Sequence, residues 1–185
     1  MLCVITGGSG SGKSEYAESA AVHMCKAPGR RYYVATMKPY DEECHKRIAR
    51  HRQMRSRKGF ITVECPVCLE TVTGNEKAVY LLEDLSNLLA NERYLEEGRI
   101  KGGGETALRQ ATEAILKPVL TLKKSGSSVV VVTNEIFSDG AEYEEETQMY
   151  CRLLGFLNAE LAKEADSVVE VVCSIPVCQK GELPC

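Results

Sequence analysis

The 185-residue chain has no apolar run approaching 18 residues, so no segment reads as a membrane span. It also lacks a surplus of basic charge: 23 Lys and Arg stand against 26 Asp and Glu, a formal net charge of −3. That balance gives no general argument for a nucleic acid or an anionic membrane as partner. The first residues enter a strand-like run at once, without the charged region and long apolar core of a secretion signal, and a cytoplasmic location is expected. There is no internal repeat, and the length and composition fit one domain over residues 1–185. Cysteine is the opposite case. The nine cysteines are an odd number, and without a secretion signal free thiols are expected. Cys65-Pro-Val-Cys68 has zinc or redox spacing, but no second pair at zinc-ribbon spacing accompanies it, so the motif is not read as a metal site.

What is present starts at residue 2. Leu2-Cys3-Val4-Ile5-Thr6 is a short apolar run of the kind that forms a buried parallel strand. Gly7-Gly8-Ser9-Gly10-Ser11-Gly12-Lys13-Ser14 follows it and fits the P-loop pattern G-x-x-x-x-G-K-[ST]. Ser14 to about Lys26 then reads as a helix. Strand, glycine-rich loop and helix together supply the setting in which the motif binds phosphate. Glycines let successive backbone N–H groups turn toward phosphate oxygens, and the helix N-terminus adds partial positive charge. Lys13 is suited to the β- and γ-phosphates, and the Ser14 hydroxyl to Mg²⁺.

Further strands are expected at Arg31–Thr36, Gly59–Glu64, Ala78–Glu83, Ser127–Thr133 and Ser167–Cys173, with a short edge strand near Val177. Helical stretches lie between them: from Leu85 to about Glu97, from Glu105 to Lys124 with a kink at Pro118, and to about Ala165. Gly98 to Gly104 reads as a mobile surface loop. Strands alternating with helices predict an α/β fold of three layers around a mostly parallel sheet. The P-loop, Thr36 to Lys38, Glu83 and Asn134-Glu135 all fall just past strand ends, so one sheet edge should collect them.

Two stretches leave alternatives open. A helix after Asp41 carries Arg47, His51, Arg55 and Lys58 within about 80° of one another. It reads either as a solvated basic face or as a neutral imidazole set among cations, able to attack an α-phosphate. Glu83-Asp84, after an apolar strand, reads either as a magnesium partner or as a helix N-cap.

Several elements together resemble a known family. They are Thr6-Gly7-Gly8 through Ser14, Tyr33-Val34-Ala35-Thr36, Arg47-Ile48-Ala49-Arg50-His51-Arg52, Thr62-Val63-Glu64, Leu82-Glu83, Val132-Thr133-Asn134-Glu135 and Gly155-Phe156-Leu157-Asn158. In this order they resemble the bifunctional adenosylcobinamide kinase/adenosylcobinamide-phosphate guanylyltransferase family. The resemblance implies a P-loop NTPase (RecA-like) fold, a homotrimer, Mg²⁺, and GTP or ATP and adenosylcobinamide as substrates. It implies that His51 carries GMP. It also implies nucleotide contacts at Gly7, Gly8, Ser9, Gly10, Ser11, Gly12, Lys13, Ser14, Thr36, Met37, Lys38, Arg52, Gln53, Met54, Arg55, Glu64 and Glu83. The chain departs from the family pattern at Ile136–Glu142, at Gln148, Cys151 and Arg152, and at Leu88. A simple small-molecule kinase and a non-catalytic nucleotide-binding subunit are the competing expectations.

Overall fold

The computed structural model describes residues 1–38, 42, 46, 49, 53, 57–138 and 142–185. Its centre is a seven-stranded sheet built from β1 (Leu2–Thr6), β2 (Arg31–Ala35), β3 (Phe60–Glu64), β4 (Val79–Glu83), β5 (Ser128–Val132), β6 (Ser167–Val172) and β7 (Ile175–Lys180). The order across the sheet is β3-β2-β4-β5-β1-β6-β7. Every pairing is parallel except β6 with β7, which is an antiparallel hairpin. The four consecutive valines of β5 explain its central place, since a strand covered on both faces has no use for a polar side.

Side-chain alternation sends each strand's residues to two cores. Leu2, Val4, Tyr80, Leu82, Val129 and Val131 face one side. Cys3, Ile5, Val79, Leu81, Val130 and Val132 face the other. The second face is covered by α1 (Lys13–Met24), whose Ala17, Ala20 and Ala21 are fully buried. Three small residues on one stripe let this helix lie close to the strands. The first face is covered by α2 (Leu85–Tyr94), α3 (Gly104–Ala111), α4 (Lys117–Lys124) and α5 (Glu145–Glu164). Sheet and two helical layers give the three-layer α/β fold expected from the alternation.

The long helix expected from Glu105 to Lys124 is modified in the middle. Thr112–Leu116 forms a π-helical turn joining α3 to α4. Pro118 lies in the first turn of α4 and brings no N–H, and its ring crowds the carbonyl four residues earlier. Widening the preceding turn relieves that crowding, so the disturbance precedes the proline.

Arg99 to Lys101 are not a mobile loop. Ile100 is fully buried, and its N–H donates to the Glu92 carbonyl at 2.8 Å. Arg99 donates from Nη2 to Glu92 Oε1 at 2.7 Å and from Nε to Oε2 at 3.2 Å. Its backbone N–H adds a bond to Oε2 at 3.1 Å, and the Cys68 N–H reaches Oε1 at 2.8 Å. Burial alone would raise the Glu92 carboxyl, but these four donors outweigh it and hold the group below its ordinary value. The clasp therefore contributes stability above the unfolded pKa and loses it as pH falls through the depressed folded value. Arg99→Ala leaves a fully buried carboxylate short of two charged donors. We expect a loss of ~2–3 kcal/mol near neutral pH, at the low end for a broken buried pair because Arg99 is itself partly open to water. Urea unfolding checks this, and a loss under about 1 kcal/mol would show the clasp to be ornamental.

Candidate functional site

The C-terminal edge of the parallel strands gathers the polar groups. After β1 the chain curls through the glycine loop into α1. The close approach of neighbours dictates two of the glycines. A Cβ on Gly7 would lie 2.5 Å from the Val171 carbonyl oxygen and 2.6 Å from Ser11 Oγ. Gly12 has φ +90, and a Cβ there would lie 2.7 Å from Ser174 Oγ. The β6–β7 turn is thus packed on the loop, and its Ser174 N–H donates to the Ser11 carbonyl at 2.8 Å. This support was invisible in the sequence, where Cys173 reads as the last residue of a strand and Ser174 as the start of a polar, irregular tail. Both have left-handed backbone, φ 48 at Cys173 and 65 at Ser174.

Lys13 opens α1 and is buried, with 8 % of its surface exposed. Its Nζ donates to the Gly8 carbonyl at 3.0 Å, which holds the ammonium over the loop. Burial lowers its pKa, while Asp84 and then Glu83 work in the opposite direction. The side chain of Ser14, the next residue, lies beside Glu83 and acts to lower its carboxyl.

Glu83 ends β4 and is buried at 8 % exposure. Its carboxyl is pushed up to about 7, first by burial and then by neighbouring Asp84 and Glu18, against the lowering effect of Ser14 and Lys13. A buried carboxylate beside a serine hydroxyl, with a second carboxylate nearby, is a hard-oxygen donor set. That is the chemistry Mg²⁺ selects, and a cation there would relieve the cost of burying the charge. Ser14 and Glu83 fit the ion.

Asp84 resolves the other way. Its Oδ1 accepts from the Asn87 N–H at 2.7 Å and from Ser86 Oγ at 2.5 Å, and its Oδ2 accepts from Asn87 Nδ2 at 3.1 Å. It is the N-cap of α2. The N-cap reading therefore holds at Asp84, while the buried Glu83 carboxyl takes no part in the cap. Asn134 Nδ2 donates to Ser86 Oγ at 2.5 Å, tying the end of β5 to the cap. An Asp followed at two and three residues by Ser and Asn is a legible capping signal, but its link to Asn134 lies 48 residues away in sequence.

Thr36 is fully buried, and its hydroxyl donates to the carbonyls of Glu83 and Asp84, each at 2.9 Å. Its side chain is spent on holding the acid pair. Lys38 is half-buried and lies 3.8 Å from Glu97. Glu64, exposed at the end of β3, is in register with Ala35, which is also in register with Glu83. Four strand spacings separate β3 from β1, on the order of 19 Å, so Glu64 stands far from the P-loop along the sheet edge. Gln53 has helical backbone and is exposed. His51, Arg52, Met54 and Arg55 lie outside the described residues. Among the described residues no group of three or more His, Cys, Asp or Glu is arranged to hold a metal by itself. Cys65 is buried, and burial pushes its thiol up to about 11.

A glycine loop between β1 and α1, its buried lysine and an acid ending β4 define a P-loop NTPase (RecA-like) fold. The solved flagellar accessory protein FlaH from Methanocaldococcus jannaschii shares this fold. It has a TM-score of 0.50 and 11 % identity, over 99 % of this chain and 79 % of that one. Residues 3–178 match the family described as cobinamide kinase / cobinamide phosphate guanyltransferase, and the chain belongs to that family of enzymes. It is 29 % identical over 184 residues to the bifunctional adenosylcobalamin biosynthesis protein CobU of Escherichia coli (strain K12), covering 96 % of this chain and 98 % of the relative. The protein of the same name from Salmonella typhimurium is 28 % identical over 183 residues, with the same coverage. No helix among the described residues is long and apolar enough to cross a membrane.

Proposed function

We propose that this chain phosphorylates the aminopropanol hydroxyl of adenosylcobinamide with ATP or GTP and then transfers GMP from a second GTP to the new phosphate, with His51 carrying the GMP. The observation that carries the reading is a P-loop with a buried lysine and an acid partner, in a chain matching the kinase/guanyltransferase family over residues 3–178. The reading brings with it a cytoplasmic homotrimer.

In this scheme the loop N–H groups and Lys13 hold the β- and γ-phosphates. Ser14 and Glu83 would hold Mg²⁺, which would neutralise charge on the phosphate oxygens. Thr36 and the Asp84 cap fix the direction from which Glu83 approaches. In guanylyl transfer, an imidazole nitrogen of His51 attacks the α-phosphorus, forming a P–N bond as the bond to the β-phosphate oxygen breaks and pyrophosphate leaves. A phosphate oxygen of the corrinoid then attacks the same phosphorus, and the P–N bond breaks. Neighbouring arginines, Arg47, Arg52 and Arg55 in the sequence, would stabilise charge on the phosphoryl group and keep the imidazole neutral.

Incubation with GTP labelled at the α- or the γ-phosphate tests the scheme. Acid-labile, alkali-stable label retained on denatured protein from the α-position only is the expected result. Label in the product from the γ-position with none on the protein would leave a kinase alone. Binding without turnover or adduct would leave a nucleotide-binding subunit.

A further inference from the structure

A cleft of about 490 Å³ lies between the C-terminal end of α2, residues 100–103 and the first turn of α5. Arg93, Lys101, Gly103, Glu145, Glu146 and Met149 line it. We infer that this cleft seats an edge of the corrin macrocycle and its peripheral carboxamides, while the hydroxyl arm of the same substrate reaches back to the P-loop. The inference rests on the proposed function and deepens it.

Charge comes first. Two acids face two cations, so the cleft has no surplus sign with which to hold a phosphate or a polyanion. A neutral group that both donates and accepts hydrogen bonds suits such a wall, and a primary carboxamide is one. Arg93 is built in rather than splayed on the surface. It is 9 % exposed, with Nε donating to Glu146 Oε1 at 2.7 Å and Nη1 to the Gly102 carbonyl at 2.9 Å. Two of its five N–H groups fix the fork, and the planar group is thereby held rigid against a ligand.

Apolar surface comes second. Met149 lines the cleft, and Tyr94, 53 % exposed, lies with its ring 5.9 Å from the Arg93 guanidinium. Tyr150, packed against the core, backs Tyr94, the two rings 6.3 Å apart. Rings beside a pocket of balanced charge suit a large, flat, amide-fringed molecule. The volume is too small for the whole macrocycle, so the cleft takes one edge.

Placement comes third. Arg93 stands nine residues along from Asp84, the cap beside Glu83. At helical rise this is on the order of 13 Å. A substrate phosphorylated at the end of a flexible arm needs its body set well clear of the transferring phosphate. A body held at Arg93 meets that requirement, and one held against the P-loop does not.

Filling the cleft tests the inference. Gly103 has an extended backbone, and a Cβ there would meet Met149 Cε at 3.4 Å, so Gly103→Leu projects into the space. Met149→Trp fills it from the opposite wall. Lys101→Glu upsets the charge balance from an exposed position and carries little folding risk. Cobinamide binding is read by equilibrium dialysis using the corrin's visible absorbance, with nucleotide binding as the control for folding and steady-state phosphorylation alongside. The expected result is a cobinamide dissociation constant raised about tenfold or more in the filling variants, with nucleotide affinity within about twofold of the parent. Cobinamide binding unchanged in both filling variants would overturn the inference. Binding by the parent that is lost in the variants, but without phosphorylation, would uphold the cleft and sink the proposed chemistry. A parent that does not bind cobinamide at all would overturn both.

Discussion

In a His51→Ala variant, covalent labelling from α-labelled GTP is expected to vanish and guanylyl transfer to fall by about 10³ or more, with phosphorylation of the corrinoid within about threefold of the parent. The contrast with Lys13→Ala makes the result specific. Lys13 stands at the P-loop, buried, with its ammonium over the loop carbonyl of Gly8. Its loss is expected to lower both activities by about 10²–10³, the range for removing one preorganised charge from a water-poor site. A nucleophile serves only the step it enters, whereas a phosphate clamp serves every step that uses the triphosphate. Initial rates for the two half-reactions, measured separately, check this. Equal loss of both activities in His51→Ala would demote the histidine to a structural or binding role. A His51→Ala protein that still takes up α-label would remove it from the mechanism.

The fold was legible because its signals are local. A run such as Ser128–Val132 names itself a buried strand, and Gly7 to Ser14 names both a loop geometry and a ligand class. What local patterns could not supply were contacts between distant residues. The sheet order β3-β2-β4-β5-β1 decides which strand ends face one another, and no stretch of sequence records it. Arg99 looked mobile because it sits among glycines. Its partner Glu92 is seven residues away, facing inward on a helix that otherwise reads as ordinary. Asn134 was legible as a residue past a strand end, but its partner Ser86 was not. The support given to the P-loop by Ser174 joins the two ends of the chain. The site's residue types were thus readable, and their division of labour was not: Glu83 and Asp84, adjacent in sequence, turn to different tasks only because one is buried beside Ser14 and the other caps a helix.

That division gives Glu83→Gln two effects of opposite sign. The Glu83 carboxyl titrates at about 7 in the folded chain against 4.5 for an ordinary glutamate, chiefly because it is buried. The folded state therefore holds this proton more tightly than the unfolded state does. Stability associated with the group is greatest below about pH 4.5, declines as pH rises toward 7, and stays reduced above it. A shift of this size corresponds to ~3 kcal/mol at the alkaline end. Glutamine removes the ionisation but introduces an amide that needs its own partners. The nucleotide-free variant is thus expected to be ~2 kcal/mol more stable than the parent near pH 8, with the advantage fading toward pH 5. Turnover is expected to fall by about 10²–10³, since the neutral side chain is a poorer ligand for Mg²⁺. Urea unfolding across pH, paired with kinetics at saturating magnesium, reads both effects. A variant no more stable than the parent at pH 8 would mean that burial does not strain the carboxylate. A stabilised variant with full activity would mean that the strain serves nothing. Stabilisation together with inactivity is the signature of a charge kept in an unfavourable place because the reaction needs it there.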